Sequence, residues 1–253
     1  MTKEIETGAR TAVVILAAGK GTRMNSDIPK VLHPLAGRPL VSHVVHTAKR
    51  LNPERIVVVV GYKGEMVKQA LAGEEAHFAE QTEQLGTAHA VMQANTALVG
   101  FAGTVVVLSG DVPLVRAETI AALIALARGE VSPVAFLSTE VENPSGYGRV
   151  LRGGNGKVAA IVEERDATPD QKLIKEINGG IYAFDSGYLF AALKKVSADN
   201  DQKEYYLTDV VKIALAEGRK VAALKLDDSR QILGVNRPEE LEALNRHAVA
   251  GDR

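Results

Sequence analysis

Cysteine is absent from the 253-residue chain. Disulfides, thiol nucleophiles, thiolate zinc sites and iron–sulfur clusters are excluded together, and a reducing cytosol fits. An excess of either charge is also lacking: 30 Lys and Arg stand against 31 Asp and Glu, a formal charge of −1. Such a chain gives no electrostatic footing for a nucleic-acid polyanion or an acidic membrane, although a local basic cluster still suits a small phosphorylated ligand. No apolar run approaches the roughly 18 residues of a membrane span. Met1 to Arg10 mix Lys3, Glu4, Glu6 and Arg10 without the apolar centre of a targeting segment. None of the six histidines has metal-motif spacing, and no repeat, low-complexity segment or linker is visible. These absences describe a cytoplasmic protein with neither nucleic acid nor membrane as partner. With 46% hydrophobic and 24% charged residues, the chain has globular composition and is long enough to bury about three quarters of its extended surface unaided.

Three short β-branched runs, Ala12 to Ala18, Ile56 to Val60 and Thr104 to Leu108, each end at or near glycine. Their continuous apolar character predicts strands covered on both faces, as in a parallel sheet. Helical spacing governs Pro39 to Leu51, Thr87 to Leu98 and Glu118 to Ala127. This alternation predicts an α/β fold, a doubly wound, mostly parallel, Rossmann-like sheet with its site at the carboxyl ends of the strands. From Val131 to Phe184 the runs shorten, and turns are predicted at Asn143-Pro144, Gly153-Gly154-Asn155-Gly156 and Asn178-Gly179-Gly180. A smaller antiparallel subregion over the site is expected there. Tyr206 to Glu217 reads as a helix, Val221 to Leu226 as a late strand, and Pro238 to Val249 as a final helix. The division expected is a nucleotide-binding part over about 11–130, a sugar-binding part over about 131–236, and a helix and tail over 237–253, in one domain.

The most informative stretch is Leu16-Ala17-Ala18-Gly19-Lys20-Gly21-Thr22-Arg23-Met24. A strand ending in small residues and two glycines lets backbone N–H groups cradle phosphate oxygens. The dinucleotide fingerprint would need a third glycine where Met24 stands, and the mononucleotide P-loop needs a Gly-Lys-Ser/Thr that is missing. Pro29-Lys30 follows, so Arg23 and Lys30 place two cations beside the cradle. Further along, in order, come Gln81-Thr82-Glu83-Gln84-Leu85-Gly86-Thr87-Ala88-His89-Ala90, Gly110-Asp111-Val112-Pro113-Leu114, Gly146-Tyr147-Gly148-Arg149, Ile161-Val162-Glu163-Glu164, Glu176-Ile177-Asn178, Glu204-Tyr205-Tyr206-Leu207-Thr208-Asp209 and Gly234-Val235-Asn236. Together these resemble the sugar-nucleotide pyrophosphorylases, and within them the uridylyltransferase domains of the bacterial N-acetylglucosamine-1-phosphate uridylyltransferases, over about Thr11 to Leu244.

The resemblance implies a reaction of UTP with N-acetylglucosamine 1-phosphate that yields UDP-N-acetylglucosamine and pyrophosphate. It implies Arg23 and Lys30 as the catalytic cations. It assigns nucleotide binding to Leu16, Ala17, Ala18, Gly19, Gly21, Gln81, Gln84, Gly86 and Thr87. Sugar binding falls to Gly110, Gly148, Glu163, Asn178, Tyr206 and Thr208, and Mg²⁺ as cofactor to Asp111 and Asn236. Read singly, these residues have plainer uses. Asp111 suits a turn or a helix N-cap, Asn236 a cap for the next helix, Thr87 and Thr208 N-caps, Tyr206 a core aromatic, and His89 a packed helix residue.

Two departures from the family pattern stand near the inferred ligand. Ser109 replaces a common aromatic, and Gly179 a common threonine, which predicts an enlarged pocket and looser sugar selectivity. Bifunctional relatives continue into a hexapeptide-repeat β-helix acetyltransferase, whereas this sequence stops at Arg253, as a naturally monofunctional protein or an excised domain would. Competing readings are a nucleotidyltransferase for another nucleotide and hexose phosphate, and a noncatalytic nucleotide-sugar-binding relative. Oligomeric state is not legible.

Overall fold

The computed structural model describes residue 5 and residues 10–127 and 132–251, the last five by backbone alone. The expected boundary at residues 130 and 131 lies outside the described residues.

Among the described residues, eleven strands and eight helices follow one another. They are β1 (Thr11–Ala17), β2 (Pro34–Leu35), β3 (Arg38–Pro39), α1 (Leu40–Lys49), β4 (Arg55–Val60), α2 (Gly64–Ala70), β5 (His77–Glu80), α3 (Thr87–Gln93), β6 (Thr104–Ser109) and α4 (Ala117–Leu126). After these come β7 (Val134–Glu140), β8 (Arg149–Arg152), β9 (Val158–Val162), α5 (Pro169–Lys172), β10 (Glu176–Asp185), α6 (Ser186–Leu193), α7 (Asp209–Ala216), β11 (Val221–Leu226) and α8 (Pro238–Gly251). Apart from the small β2–β3 ribbon, the strands form one sheet in the order β11-β7-β10-β6-β1-β4-β5, with β8 and β9 branching from β10. The pairs β6–β1, β1–β4, β4–β5 and β11–β7 are parallel, whereas β10 runs antiparallel to β6, β7 and β8. The antiparallel subregion is thus an extension of the same sheet.

Alternation along β1 explains the layering. Val13, Ile15 and Ala17 pack with Val41, Val44 and Val45 of α1 and Ile120, Leu123 and Ile124 of α4. Ala12 and Val14 face Ala88 and Val91 of α3, Leu189 of α6 and Val210 and Val211 of α7. Both faces of the strand are covered, which is why its sequence reads as an uninterrupted apolar run.

Three expectations need correction. Asn178-Gly179-Gly180 is not a turn between strands but lies within β10, where the pairing with β7 slips between Asn178 and Tyr182; a bulge there re-aims the side chains. The helix expected from Tyr206 starts at Asp209, because the Leu207 N–H donates to Thr87 Oγ1 at 2.9 Å and the Ala88 N–H to the Tyr205 carbonyl at 2.8 Å. Those bonds hold the preceding residues against the start of α3. Helix α3 itself ends at Gln93, and Thr96–Leu98 forms a separate single turn.

Candidate active site

The carboxyl ends of β1 and β6 are neighbours, with Leu16 paired to Ser109 and the Gly110 N–H donating to the Leu16 carbonyl at 2.9 Å. The glycine-rich loop therefore leaves the sheet directly beside Asp111. Gly21 adopts φ +62°, and a β-carbon there would stand 2.5 Å from Lys30 Cβ. Only glycine allows the loop and the Lys30 backbone to come so close. A third segment is tied in by the Val235 N–H, which donates to the Asp111 carbonyl at 2.9 Å.

Four side chains meet at that junction. The Lys30 ammonium is ion-paired with Asp111 Oδ2 and donates to Asn236 Oδ1 at 3.0 Å. Arg23 Nη2 donates to the same oxygen at 2.9 Å. Lys30 and Asp111 keep only 16% and 17% of their side chains exposed, so their charges face one another across a partly desolvated space. Asn236 is held in turn: its Nδ2 donates to the Gly234 carbonyl at 3.0 Å, and its main-chain N–H donates to Glu240 Oε2 at 2.7 Å. The Asn236 side chain is therefore not spent as a helix cap; Asp111 does lie in a turn, closed by the Val112 N–H donating to the Ser109 carbonyl at 3.1 Å, with its carboxylate directed to Lys30.

Asp111 Oδ2 and Asn236 Oδ1 both converge on a single cationic nitrogen, which tests the fit of a metal. One carboxylate and one amide oxygen facing a common point are hard donors of the kind Mg²⁺ takes, and Mg²⁺ fills its other positions with phosphate oxygens and water. Among the described residues there is no cluster of three or more His, Cys, Asp or Glu able to cage a metal. A two-oxygen site relying on its substrates is thus the arrangement these residues suit.

Two cavities adjoin the junction, about 220 and 270 Å³ in volume. They share Leu16, Thr87, Ser109 and Asp111. The second is walled by Leu16, Ala17, Ala18, Gly19, Lys30, Gln81, Gln84, Gly86 and Thr87, and so gathers every residue anticipated for the nucleotide except Gly21. Gly86, at φ +107°, brings its backbone against Tyr205, whose carbonyl lies 2.6 Å from where a β-carbon would be. The first is walled by Arg23, Gly148, Glu163, Asn178, Thr208 and Asn236, among others. Gly110 and Tyr206 do not reach its wall. Tyr206 is 7% exposed and its hydroxyl accepts from Gln202 Nε2 at 2.8 Å, in keeping with a core aromatic.

In the first cavity the polar groups hold one another in place. Thr208 Oγ1 donates to Glu163 Oε1 at 2.9 Å instead of capping α7. Burial raises the Glu163 carboxyl above its ordinary value, with Asp166, Asp209 and Glu204 adding to the rise and the Thr208 bond opposing it. Asn178 Nδ2 donates to the Tyr182 hydroxyl at 2.6 Å, while its Oδ1 accepts from the Gly180 N–H at 3.2 Å. The Asn178 N–H donates to the Gly148 carbonyl at 2.9 Å, joining the bulge to the neighbouring loop. Beneath that loop, fully buried Arg149 is 2.8 Å from Glu164 Oε2, and Glu164 also accepts from the Gly146 N–H at 3.2 Å.

The expected enlargement at Gly179 is not found. A β-carbon at that position would lie 2.7 Å from Ile232 Cδ1 and 2.8 Å from Ile232 Cβ, so the isoleucine already fills the space a threonine would take. Ser109 remains open to both cavities.

Sequence reasoning passed over Tyr147, Tyr182 and Ile232 as wall residues, and Glu240 as the anchor of Asn236. Glu240 had a signal: an acid in the first helical turn, spaced to reach back to exposed N–H groups. Burial raises the Tyr147 hydroxyl, and the nearby charges of Glu240 and Asp111 push the same way. Nothing in the sequence pointed to Ile232, because its role follows from packing against a distant bulge.

Residues 12–232 match the family model for nucleotidyl transferases. The bifunctional protein GlmU of Pelotomaculum thermopropionicum is 48% identical over 236 residues, 93% of this chain and 51% of that protein. That of Syntrophotalea carbinolica is 51% identical over 225 residues, 89% of this chain and 48% of that protein. The chain thus spans about half the length of the curated relatives it matches. A crystal structure of UDP-glucose pyrophosphorylase complexed with UDP-glucose shares the fold, with a TM-score of 0.73 at 19% identity over 96% of this chain and 100% of that one.

Proposed function

The chain belongs to the nucleotidyl transferase family, and from that premise we propose that it transfers a uridylyl group from UTP to N-acetylglucosamine 1-phosphate. The observation that carries this reading is the convergence of Arg23, Lys30, Asp111 and Asn236 at the seam of two cavities. We assign the cavity walled by Gln81, Gln84 and the glycine-rich loop to the nucleotide, and the one walled by Glu163, Asn178 and Thr208 to the sugar.

No general base is needed. The nucleophile is a phosphate monoester oxygen of the sugar phosphate, largely dianionic at pH 7 with a second pKa near 6. It forms a bond to the α-phosphorus of UTP, and the bond from that phosphorus to the bridging oxygen breaks, its electron pair leaving with pyrophosphate. What the protein supplies is alignment and charge. Arg23 donates several N–H groups in a fixed fork to the departing pyrophosphate, and Lys30 offers a compact charge near the reacting phosphates. Asp111 and Asn236 hold Mg²⁺, which when bound neutralises phosphate charge. Gln81, Gln84, Gly86 and Thr87 seat the base, while Leu16 to Gly21 cradle phosphates. Glu163, Asn178 and Thr208 pair with sugar hydroxyls and the acetamido group, with Gly148 letting the sugar approach the backbone. The cytoplasm is the compartment this reading implies.

The test is pyrophosphate release across a panel of nucleoside triphosphates and sugar 1-phosphates, with and without Mg²⁺. UTP with N-acetylglucosamine 1-phosphate and Mg²⁺ should be the most rapid combination. A faster purine nucleotide, or release that ignores the sugar, would remove the assignment.

A further inference from the structure

His89, in the first turn of α3, takes no part in the chemistry above, yet both of its ring nitrogens are engaged. Gln81 Nε2 lies 3.1 Å from Nδ1, and Gln93 Nε2 lies 3.1 Å from Nε2. We infer that His89 fixes which end of the Gln81 amide faces the nucleobase, and so makes the site choose a pyrimidine bearing an N3–H, uracil, over cytosine. The inference rests on reading the cavity beside Gln81 as the seat of a uridine nucleotide.

The argument is one of hydrogen counting. A neutral imidazole has one N–H and one lone-pair nitrogen, and an amide NH₂ only donates. Of the two amide contacts with the ring, one is therefore a hydrogen bond and the other sets a donor against a donor. Gln81 is 4% exposed, and its Nε2 already gives one hydrogen to the Gly86 carbonyl at 3.0 Å. Its second hydrogen has no solvent to turn to, and leaving a buried donor unpaired costs about 1–3 kcal/mol. Gln93 is only half-buried and keeps its bond to the His89 carbonyl at 3.0 Å. The conflict is thus relieved at Gln93, which leaves Nδ1 as the acceptor for Gln81 and places the ring proton on Nε2.

Both hydrogens of Gln81 Nε2 are then committed. Oε1 is the remaining polar atom of the amide, on a residue that walls the cavity, and among the described residues no donor reaches it. An acceptor in that position complements the N3–H of uracil and opposes the N3 lone pair of cytosine. Turning the amide over would reverse the preference, but it would also set Oε1 against the Gly86 carbonyl and strip Nδ1 of its donor. Specificity would then come from a penalty on the wrong orientation as much as from the contact itself. His89 is a positioning residue, touching the reader of the base and not the base.

The experiment compares wild type, His89→Ala and His89→Asn by kcat/KM for UTP and CTP with N-acetylglucosamine 1-phosphate, and by calorimetric binding of each nucleotide. Removing the ring should lower the UTP-to-CTP ratio by about 10- to 100-fold. His89→Asn, which restores an acceptor near the position of Nδ1, should bring the ratio back to within about threefold of wild type. An alanine variant with an unchanged ratio, or an asparagine variant as relaxed as alanine, overturns the inference. If wild type binds UTP in preference to CTP but turns over neither, the uridylyl-transfer reading falls, and the binding ratios still decide the role of His89. Should His89→Ala fail to fold, long-range ¹⁵N–¹H correlation spectra of wild type decide. A bare Nδ1 and protonated Nε2 at His89 support the inference; a proton on Nδ1 overturns it.

Discussion

Arg23 and Asn236, 213 positions apart in the chain, are joined by a 2.9 Å hydrogen bond from Nη2 to Oδ1, and the same oxygen accepts from Lys30 at 3.0 Å. One amide oxygen thus sets the spacing of two cations. If those cations act on charge that grows during the reaction, Arg23→Ala and Lys30→Ala should each lower kcat by about 100- to 1000-fold. Steady-state kinetics in both substrates distinguishes this from simple docking, in which KM would rise with kcat unchanged.

Asp111 offers a separate test of the metal. Asp111→Ala should abolish most turnover while keeping the fold, as judged by circular dichroism, and thorough chelation of wild type should do the same. Full activity under chelation would remove the metal from the account. The variant also leaves the Lys30 ammonium, 16% exposed, without its counter-charge and with only the Asn236 oxygen to bond, so a modest loss of thermal stability is expected alongside.

The pH dependence of stability should carry the mark of Glu163. Its folded-state pKa is raised, mainly by burial, so as pH climbs past the ordinary carboxylate range the unfolded chain releases this proton before the folded one. Stability falls across that window and is not regained above it. Glu163→Gln should therefore raise the unfolding midpoint at neutral pH, by about 2–4 °C for each kcal/mol recovered, with the gain vanishing in acid. The same variant should bind N-acetylglucosamine 1-phosphate more weakly. Calorimetric scans at several pH values, with and without the sugar phosphate, check both halves.

Gly179→Thr tests the packing at the bulge. With Ile232 Cδ1 2.7 Å from where the new β-carbon would stand, the substitution should destabilise by about 1–3 kcal/mol through overpacking. Ile232→Ala in the same chain should recover part of that loss. Urea denaturation of the single and double variants measures it, and a Gly179→Thr protein as stable as wild type would show that the bulge yields readily.

The architecture was legible in the sequence wherever the signal was local. The runs Ala12 to Ala18, Ile56 to Val60 and Thr104 to Leu108 are buried on both faces, and their unbroken apolar character announced a parallel sheet. Residues 221–226 form the strand expected of them. Elements whose character depends on distant contacts were not legible. The Asn178-Gly179-Gly180 segment has the composition of a turn but is held in β10 at Asn178, which pairs with Ser138 of β7 and bonds to the Gly148 carbonyl, and residues 206–208 have helical spacing but are pulled away by the bond of the Leu207 N–H to Thr87 at the start of α3. The site divides in the same way. Each glycine-rich motif was visible by itself, and the acid at Glu240, four residues past Asn236, left a local signal, whereas the filling of Gly179 by Ile232 comes from packing between segments with no common local pattern.

The most direct measurement of the central claim follows the phosphorus itself. UTP labelled at the α-phosphorus is incubated with N-acetylglucosamine 1-phosphate, Mg²⁺ and the protein, and the products are separated. The account predicts that the label passes into UDP-N-acetylglucosamine, with one unlabelled pyrophosphate released for each transfer, and that Arg23→Ala and Asp111→Ala slow both together. Label released as free UMP, or nucleotide consumed with no labelled sugar nucleotide formed, would contradict it.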